Sequence, residues 1–530
     1  MPPTAHSRRK ILCVFPAYSP SFGTFENAYS LRGTTRAFMP PQGLLVVASY
    51  LPASWEVRFV DENIRPATDR EFAWADAVLV SGMHVQRAQI LDINRRAHAQ
   101  DKITVLGGPS VSGAPDYFLD FDYLHIGELG DATDRLIETL DRAPRRPARQ
   151  MRFATRERLP LTDFPLPAYH LAKLDQYFIA SVQFSSGCPY RCEFCDIPAL
   201  YGRVPRLKTP QQVTRELDAM LRHGNPGAVY FVDDNFIANR RAARELVAHL
   251  IDWQKRNGYP VEFACEATLN IAKYPELLAM MREAFFGTVF CGIETPELGA
   301  LQAMDKGHNM ALPILEAVKV LNRHGMEVVS GIILGLDTDT PETPAQILDF
   351  IRRSNIPMLT INLLQALPRT PLWDRLAAAG RLIEEPARES NVAFRLPYDR
   401  VLDSWRRLIA EAYAPEALYR RFAYNVAHTY PNRIKPPTSP QRASWANLRK
   451  GMRIMANLLL RVGVLADYRR EFWRMALPLL RAGRIEDLIH VGLVAHHLIT
   501  FARDAAAGAQ NASFYSAKAP PHRPSAALSS

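Results

Sequence analysis

What most constrains the fold of this chain is an alternation, met twice, of short apolar runs with helix-length segments. In residues 10–140 the runs are Lys10–Phe15, Val57–Val60, Ala77–Val80, Ile103–Leu106 and Tyr123–Ile126. Each has strand length and is bounded by Gly, Pro, Asp or Asn. Pieces such as Leu44–Tyr50 and Ala88–Ala99 fill the gaps with helix. Strands separated by helices pair in parallel, so a doubly wound, flavodoxin-like α/β domain is predicted over residues 1–145. A second series follows, with strands at Ala180–Ser185, Ala228–Val232, Val261–Glu266, Thr288–Ile293, Glu327–Leu334 and Leu359–Leu364. Its helices include Thr214–Leu221, Arg240–Gln254 and Pro275–Ala284. Six βα units are too few for a closed eight-stranded barrel, so residues 178–395 are predicted as an open, partial (β/α)6 barrel. The Arg- and Pro-rich segment 146–177 reads as a linker. Residues 396–505 read as a helical region and the Ala/Ser/Pro-rich tail 506–530 as disordered.

Ligands of doubly wound sheets sit beyond the C-terminal ends of the strands. Small or polar residues occupy those positions here: Ser81-Gly82-Met83-His84, Gly107-Gly108-Pro109-Ser110 and Gly127-Glu128-Leu129-Gly130. Turn chemistry would account for any single Gly pair. Three such loops at successive strand ends point to a bulky ligand approached closely by backbone.

The chemistry is concentrated in Ser186-Gly187-Cys188-Pro189-Tyr190-Arg191-Cys192-Glu193-Phe194-Cys195-Asp196, directly after the first strand of the second series. Six cysteines in 530 residues exclude a disulfide scaffold. Three of them inside eight residues point to a metal in a reducing compartment. Thiolates suit zinc or an iron–sulfur cluster. Zinc would need a fourth ligand, and His170 and His223 fall in other predicted elements. Three thiolates on one loop suit a 4Fe–4S cluster with one iron left open. Carboxylates stand at later strand ends: Asp233 and Asp234 before Asn235, Glu266 in CEATLN, and Glu294 in GIET. An ammonium wants a carboxylate and ribose hydroxyls want an acceptor. N-capping of the next helix is the competing role for Asp233 and Asp234. Cys265 and Cys291 read as core strand residues. No HExxH motif or catalytic triad is present.

The CxxxCxxC spacing, with Phe194 before the third cysteine, resembles the radical S-adenosylmethionine (SAM) superfamily. The resemblance implies a 4Fe–4S cluster on Cys188, Cys192 and Cys195, with SAM chelated by the open iron and cleaved reductively to a deoxyadenosyl radical. It implies SAM contacts from Phe194, Asp233 or Asp234, Glu266 and Glu294. A doubly wound domain ahead of the barrel is similar to the cobalamin-binding branch, as are MPPQGLLVVASYLP, VDEN, GGPS and GELGD. That likeness implies corrin contacts from Ser81, Gly82, Gly107, Gly108, Gly127 and Glu128. DxHxxG, whose His ligates cobalt in many such domains, does not occur in residues 1–140. A base-off cobalamin without a protein His is therefore implied, with His84 as a wall residue. The order of GTFENAYSLRGTTRAFMPPQGLL, SSGCPYRCEFCDIPALYGR, YFVDDNFIANR, EATLNIAK, FCGIETP, GIILGLDTD and LLQALPRTPLWDRL resembles the hopanoid methylases, those acting at C-2 above all. It implies transfer of a methyl group to an unactivated sp3 carbon of a hopanoid, C-2 of ring A, and a reductase, ferredoxin or flavodoxin as electron donor. The alternatives are a cobalamin-type radical SAM enzyme acting elsewhere (hopanoid C-3, another lipid or natural product) and a non-catalytic lipid-binding protein with a structural metal.

The net charge of +10 is unevenly spread. Residues 415–504 hold fifteen basic and six acidic side chains, nine of the ten surplus charges. Trp445, Met452, Ile454, Met455, Leu458–Leu460, Phe472, Trp473 and Leu477 interleave with them. Basic and apolar residues mixed on helices suit a membrane interface; a helical cap with a solvated basic face has the same composition. Leu488–Phe501 reads as a buried or interfacial helix, short for a span. No RNA-binding module is evident, so nucleic acid is not expected as a partner. With no secretory apolar core near the N-terminus and no run of 18 apolar residues, the chain reads as cytoplasmic, with peripheral contact on the inner face of the cytoplasmic membrane.

Overall fold

The computed structural model describes residues 8–383, 385, 388–437 and 445–508. Two six-stranded, all-parallel sheets organise it. The first contains β1 (Lys10–Phe15), β2 (Glu56–Asp61), β3 (Ala77–Ser81), β4 (Ile103–Gly107), β5 (Tyr123–Ile126) and β6 (Met151–Ala154), in the order β2-β1-β3-β4-β5-β6. This is the predicted flavodoxin-like order, whose switch point lies between β1 and β3. Successive β1 side chains enter opposite cores, Ile11, Cys13 and Phe15 on one face and Leu12 and Val14 on the other. Helices cover both faces, which is why the strand reads as continuously apolar. β6 was not expected. It lies inside the segment read as a linker and pairs in parallel with β5, so the first domain runs past residue 145. Four residues with one buried side chain, Phe153, carry too weak a periodic signal to reveal an edge strand.

The second sheet holds β7 (Ala180–Val182), β10 (Ala228–Phe231), β11 (Glu262–Glu266), β12 (Phe286–Glu294), β13 (Glu327–Leu334) and β14 (Met358–Leu363) side by side in chain order. The strand read as Ala180–Ser185 is broken. Its end leaves as β8 (Ser185–Ser186), which pairs antiparallel with β9 (Arg206–Leu207). That short hairpin launches the cysteine loop and receives it back. Along β11, Phe263 and Cys265 are buried while Glu262, Ala264 and Glu266 are half-buried. The period-2 alternation turns Cys265 toward the helices and Glu266 toward the concave face. Cys291 on β12 is likewise fully buried.

Helices Tyr398–Ala412, Pro415–His428, Trp445–Leu458, Arg469–Arg481 and Ile485–Ala506 form the C-terminal region. They are not a separate body. Trp405 donates to the Ile361 carbonyl at 2.9 Å and Tyr413 donates to that of Leu359, which covers the exposed edge at β14. One continuous core runs from Phe22 through the barrel to Ala505. The helix Ile485–Ala506 contains the segment expected to be buried or interfacial. It is long and apolar enough to cross a membrane, yet most of its apolar window is buried inside the protein. The tail read as disordered over 506–530 begins later, because Ala506 closes this helix and 507–508 form a turn; residues 509–530 lie outside the described ones.

Candidate functional site

The cysteine loop is held open by backbone contacts from several elements. Gly187 sits at φ +97°, where a Cβ would come within 2.9 Å of the Gly202 carbonyl oxygen, so only glycine fits. Gly187 N–H donates to Asp234 Oδ2 at 2.6 Å, and Cys188 N–H to the Gly202 carbonyl at 3.2 Å. Glu193 N–H reaches the Met304 carbonyl at 3.0 Å, and Arg375 grips the Glu193 carboxylate at 2.5 and 3.1 Å. All six cysteines are free; Cys188, Cys192 and Cys195 are half-buried. Burial pushes the Cys192 thiol up to about 11 and that of Cys195 higher still. These thiols stay protonated at neutral pH unless positive charge arrives. Among the described residues, no three His, Cys, Asp or Glu side chains converge tightly enough for one metal ion. Three free thiols on one loop fit a cluster of several irons, each of which can take one of them.

The concave face around the loop is lined by carboxylates short of partners. Asp233 is buried, and its Oδ1 accepts Phe184 N–H at 2.8 Å and Ser185 N–H at 2.5 Å. Its Oδ2 is buried with no hydrogen-bond partner among the described residues. Asp234 is half-buried beside it. Neither caps the following helix, because Arg240–Asn257 is capped by Asn239. Burial raises Asp233 to about 7, Asp234 to about 6 and Glu266 to about 7. Glu266 accepts from the Tyr230 hydroxyl at 3.1 Å. Raised carboxylates around an open face favour a ligand that brings cationic or donor groups. They also burden the ligand-free fold. A carboxylate raised in the folded state stabilises below its unfolded pKa, and that contribution is lost as pH rises toward about 7. Melting of the cluster-free protein is therefore expected to fall as pH rises from about 4 to about 7 and to level off above that. Asp233→Asn keeps the Oδ1 acceptor and should recover on the order of 2 kcal/mol at the upper end, read as a flatter Tm–pH curve. A slope unchanged by the substitution would contradict the assignment.

Several neighbours had no signature in the sequence. Lys306 Nζ pairs with Glu294 at 2.5 Å and stands 5.3 Å from the Phe194 ring centroid. Burial lowers the Lys306 pKa, but the Glu294 carboxylate beside it outweighs this, so the net shift is upward. Glu294 is thus already occupied and adopts a left-handed φ of +67°. The His308 ring stacks on Tyr190 at 3.7 Å, and the Tyr190 hydroxyl accepts from Asn270 at 2.8 Å. His308 Nε2 and Asn235 Nδ2 are buried without hydrogen-bond partners among the described residues. Twelve residues separate Lys306 from Glu294, with a helix between, so no local motif marks the pair.

In the first domain Ser81, Gly82, Gly107, Gly108, Gly127 and Glu128 line up along the C-terminal edge of the sheet, with Ser81 and Gly107 in register. A Cβ on Gly108 would meet Ser81 Oγ at 2.5 Å, and one on Gly82 would meet Pro16 at 2.9 Å. Glu128 departs from the expected role. Its carboxylate points at the β8–β9 hairpin, where Arg206 donates to Oε2 at 2.5 Å and Ser186 Oγ to Oε1 at 3.2 Å. Arg158 Nε stands 3.3 Å from Oε2, and its other nitrogens donate to the Leu200 and Tyr201 carbonyls. Glu128 thereby braces both ends of the cysteine loop from the neighbouring domain. Arg369, at a left-handed φ of +66°, crosses the other way to the Ser112 carbonyl at 2.8 Å.

The profile of the radical SAM superfamily matches residues 182–351, and that of Domain of unknown function (DUF4070) matches 370–511. The chain is similar to the hopanoid C-2 methylase of Rhodopseudomonas palustris (strain TIE-1), with 59% identity over 97% of each chain. It is more distantly similar to the hopanoid C-3 methylase of Methylococcus capsulatus (strain Bath), 25% identical over 58% of this chain and 63% of that one. Two solved structures share the fold at 14% identity. The cobalamin-dependent SAM radical enzyme OxsB with aqua-cobalamin has a TM-score of 0.60, covering 96% of this chain and 83% of its own. The radical SAM methyltransferase TsrM from Kitasatospora setae, with cobalamin and a [4Fe-4S] cluster, has 0.58, covering 90% and 100%.

Proposed function

Because the chain belongs to the family of the hopanoid C-2 methylases within the radical SAM superfamily, we propose that it methylates C-2 of ring A of a hopanoid. It is a radical SAM C-methyltransferase using a 4Fe–4S cluster, SAM and cobalamin, and it draws electrons from an external donor, a reductase, ferredoxin or flavodoxin. The observation that carries the reading is the three-thiol loop at the mouth of a partial barrel, set against the C-terminal edge of a doubly wound domain. When bound, these groups supply the radical and methyl-transfer chemistry that an sp3 C–H, without useful acidity, demands.

The chain's own residues bind and orient. Cys188, Cys192 and Cys195 hold iron. Asp233 is buried at 1% exposure whereas Asp234 is half-buried and faces the open side, so the ammonium of SAM falls to Asp234 and the ribose hydroxyls to Glu266. Phe194 walls the same space, and Glu294 acts through Lys306. Ser81, Gly82, Gly107, Gly108 and Gly127 offer small surfaces to a corrin, while Glu128 serves the loop. The segments through residue 154, 178–395 and 396–505 take the roles of corrin domain, radical barrel and helical cover. Free cysteines throughout support a cytoplasmic setting, and a lipid substrate supports peripheral contact with the membrane that stores it.

Deletion of the gene in a hopanoid-producing host, followed by lipid mass spectrometry, tests the substrate. Loss of C-2-methylated hopanoids, restored by the intact gene, is expected. An unchanged profile rejects the assignment, and loss of a methyl group at another ring position keeps the enzyme class but moves the site.

A further inference from the structure

The structure sorts the apolar residues of the basic C-terminal region into two sets. Ile454, Leu458, Val462 and Phe472 are buried and hold the helices onto the core. Trp445, Leu448, Met452, Leu460, Val464 and Leu465 are exposed, Trp445 by 71% and Leu465 by 70%. Trp445, Leu448 and Met452 recur at helical spacing on Trp445–Leu458, and Leu460 and Val464 continue the row through the π-helical turn Leu459–Leu465. A helix that buries one apolar face should be polar on the other; this one presents a second apolar face to solvent.

We propose that this stripe, running from Trp445 to Leu465, is the surface by which the protein lies on an anionic lipid bilayer. Charge identifies the occupant. Arg449, Arg453, Arg461, Arg469 and Arg470 are exposed alongside it. The nearby acids are neutralised: Asp467 is paired with Arg503 at 2.9 Å and Glu471 with Arg474 at 2.7 Å. An apolar stripe with a cationic rim matches acyl chains below anionic headgroups. Two copies meeting through the stripe would press like-charged rims together. The surface is also joined to the first domain. Asn457 donates to the Leu31 carbonyl at 3.2 Å and Arg461 to Ser30 Oγ at 2.9 Å, on the segment that follows the loop after β1. These bonds tie the helix that carries the stripe to the segment leading on from the C-terminal end of β1.

The inference deepens the lipid reading above and rests on it for the presence of a bilayer, but it is tested without turnover. The full-length protein is floated with phosphatidylcholine vesicles, with and without phosphatidylglycerol. Binding to the anionic vesicles, weakened by salt, is expected. Leu460→Asp with Val464→Asp should lower the partition coefficient at least about tenfold, and Arg449→Gln with Arg470→Gln by a similar factor. Circular dichroism verifies folding, and if the aspartate pair misfolds the arginine pair decides alone. Wild-type protein that ignores anionic vesicles, or folded variants that bind like wild type, overturns the proposal. So does light scattering that shows a dimer dissociated by the aspartate pair, which makes the stripe an interface between copies. Methylation of detergent-solubilised hopanoid separates the readings. Both variant pairs should retain it, whereas its absence in wild type that still binds vesicles refutes the substrate alone.

Discussion

Cys195→Ala is expected to give a colourless protein with little bound iron and methylation reduced at least about 10³-fold, without unfolding it. Of the three loop thiols, Cys195 is the one burial raises furthest. Before iron binds it is therefore a neutral, small apolar group, and removing its sulfur costs on the order of 1 kcal/mol. Iron loading must release the thiol protons, so the wild-type protein should load more readily as pH rises toward the Cys192 value of about 11. The control is Cys265→Ala. That thiol is fully buried on the helix side of β11, so its loss should cost about 1–2 kcal/mol of stability while leaving iron and turnover nearly intact. Iron and sulfide analysis, visible absorption and thermal melting separate the two variants. A Cys195→Ala protein that keeps a full iron complement would remove the loop from the cofactor's ligand set.

Lys208→Met is expected to be the most damaging single change to stability, about 3–5 kcal/mol, read as a lower denaturant midpoint. Lys208 Nζ lies 2.5 Å from Glu216 Oε1, with side-chain exposures of 0% and 4%. Burial raises the Glu216 pKa, and Lys208 is the charge that opposes this. Without the ammonium, Glu216 must take up a proton or remain as an uncompensated buried charge. Gln42, from the first domain, donates to the same carboxylate at 3.3 Å, so the damage reaches the seam between the two sheets. The double variant Lys208→Met, Glu216→Leu should regain most of the loss, because an apolar pair of similar volume needs no counter-charge. A double variant as unstable as Lys208→Met would show that the pair's geometry, rather than its charge balance, carries the effect.

The difference between what could be read along the chain and what could not follows from range. β13 was predicted at its observed bounds, Glu327–Leu334, because eight mostly apolar residues bounded by Gly make a strong local signal. β6 reads as linker because an edge strand of four residues with three exposed side chains has almost none. The three loop thiols stood out as a candidate ligand set because they fall within eight residues on one loop. The choice between Asp233 and Asp234 was not, since their neighbours, Phe184, Ser185 and Gly187, sit almost fifty residues upstream.

By itself the sequence determined the two parallel sheets, the three-cysteine loop and the concentration of positive charge near the C-terminus. Periodicity, ligand spacing and composition are local quantities, and each is complete within a few tens of residues. Only the tertiary structure decided that Glu128 braces the cysteine loop, that Lys306 occupies Glu294 and that one face of the segment from Trp445 to Leu465 is left without cover among the described residues. Those outcomes depend on which distant groups the fold brings together, such as Glu128 with Arg206 across 78 residues and Arg369 with Ser112 across 257. Buried charges must find partners wherever the fold brings them, and the chain's linear order does not record where that is.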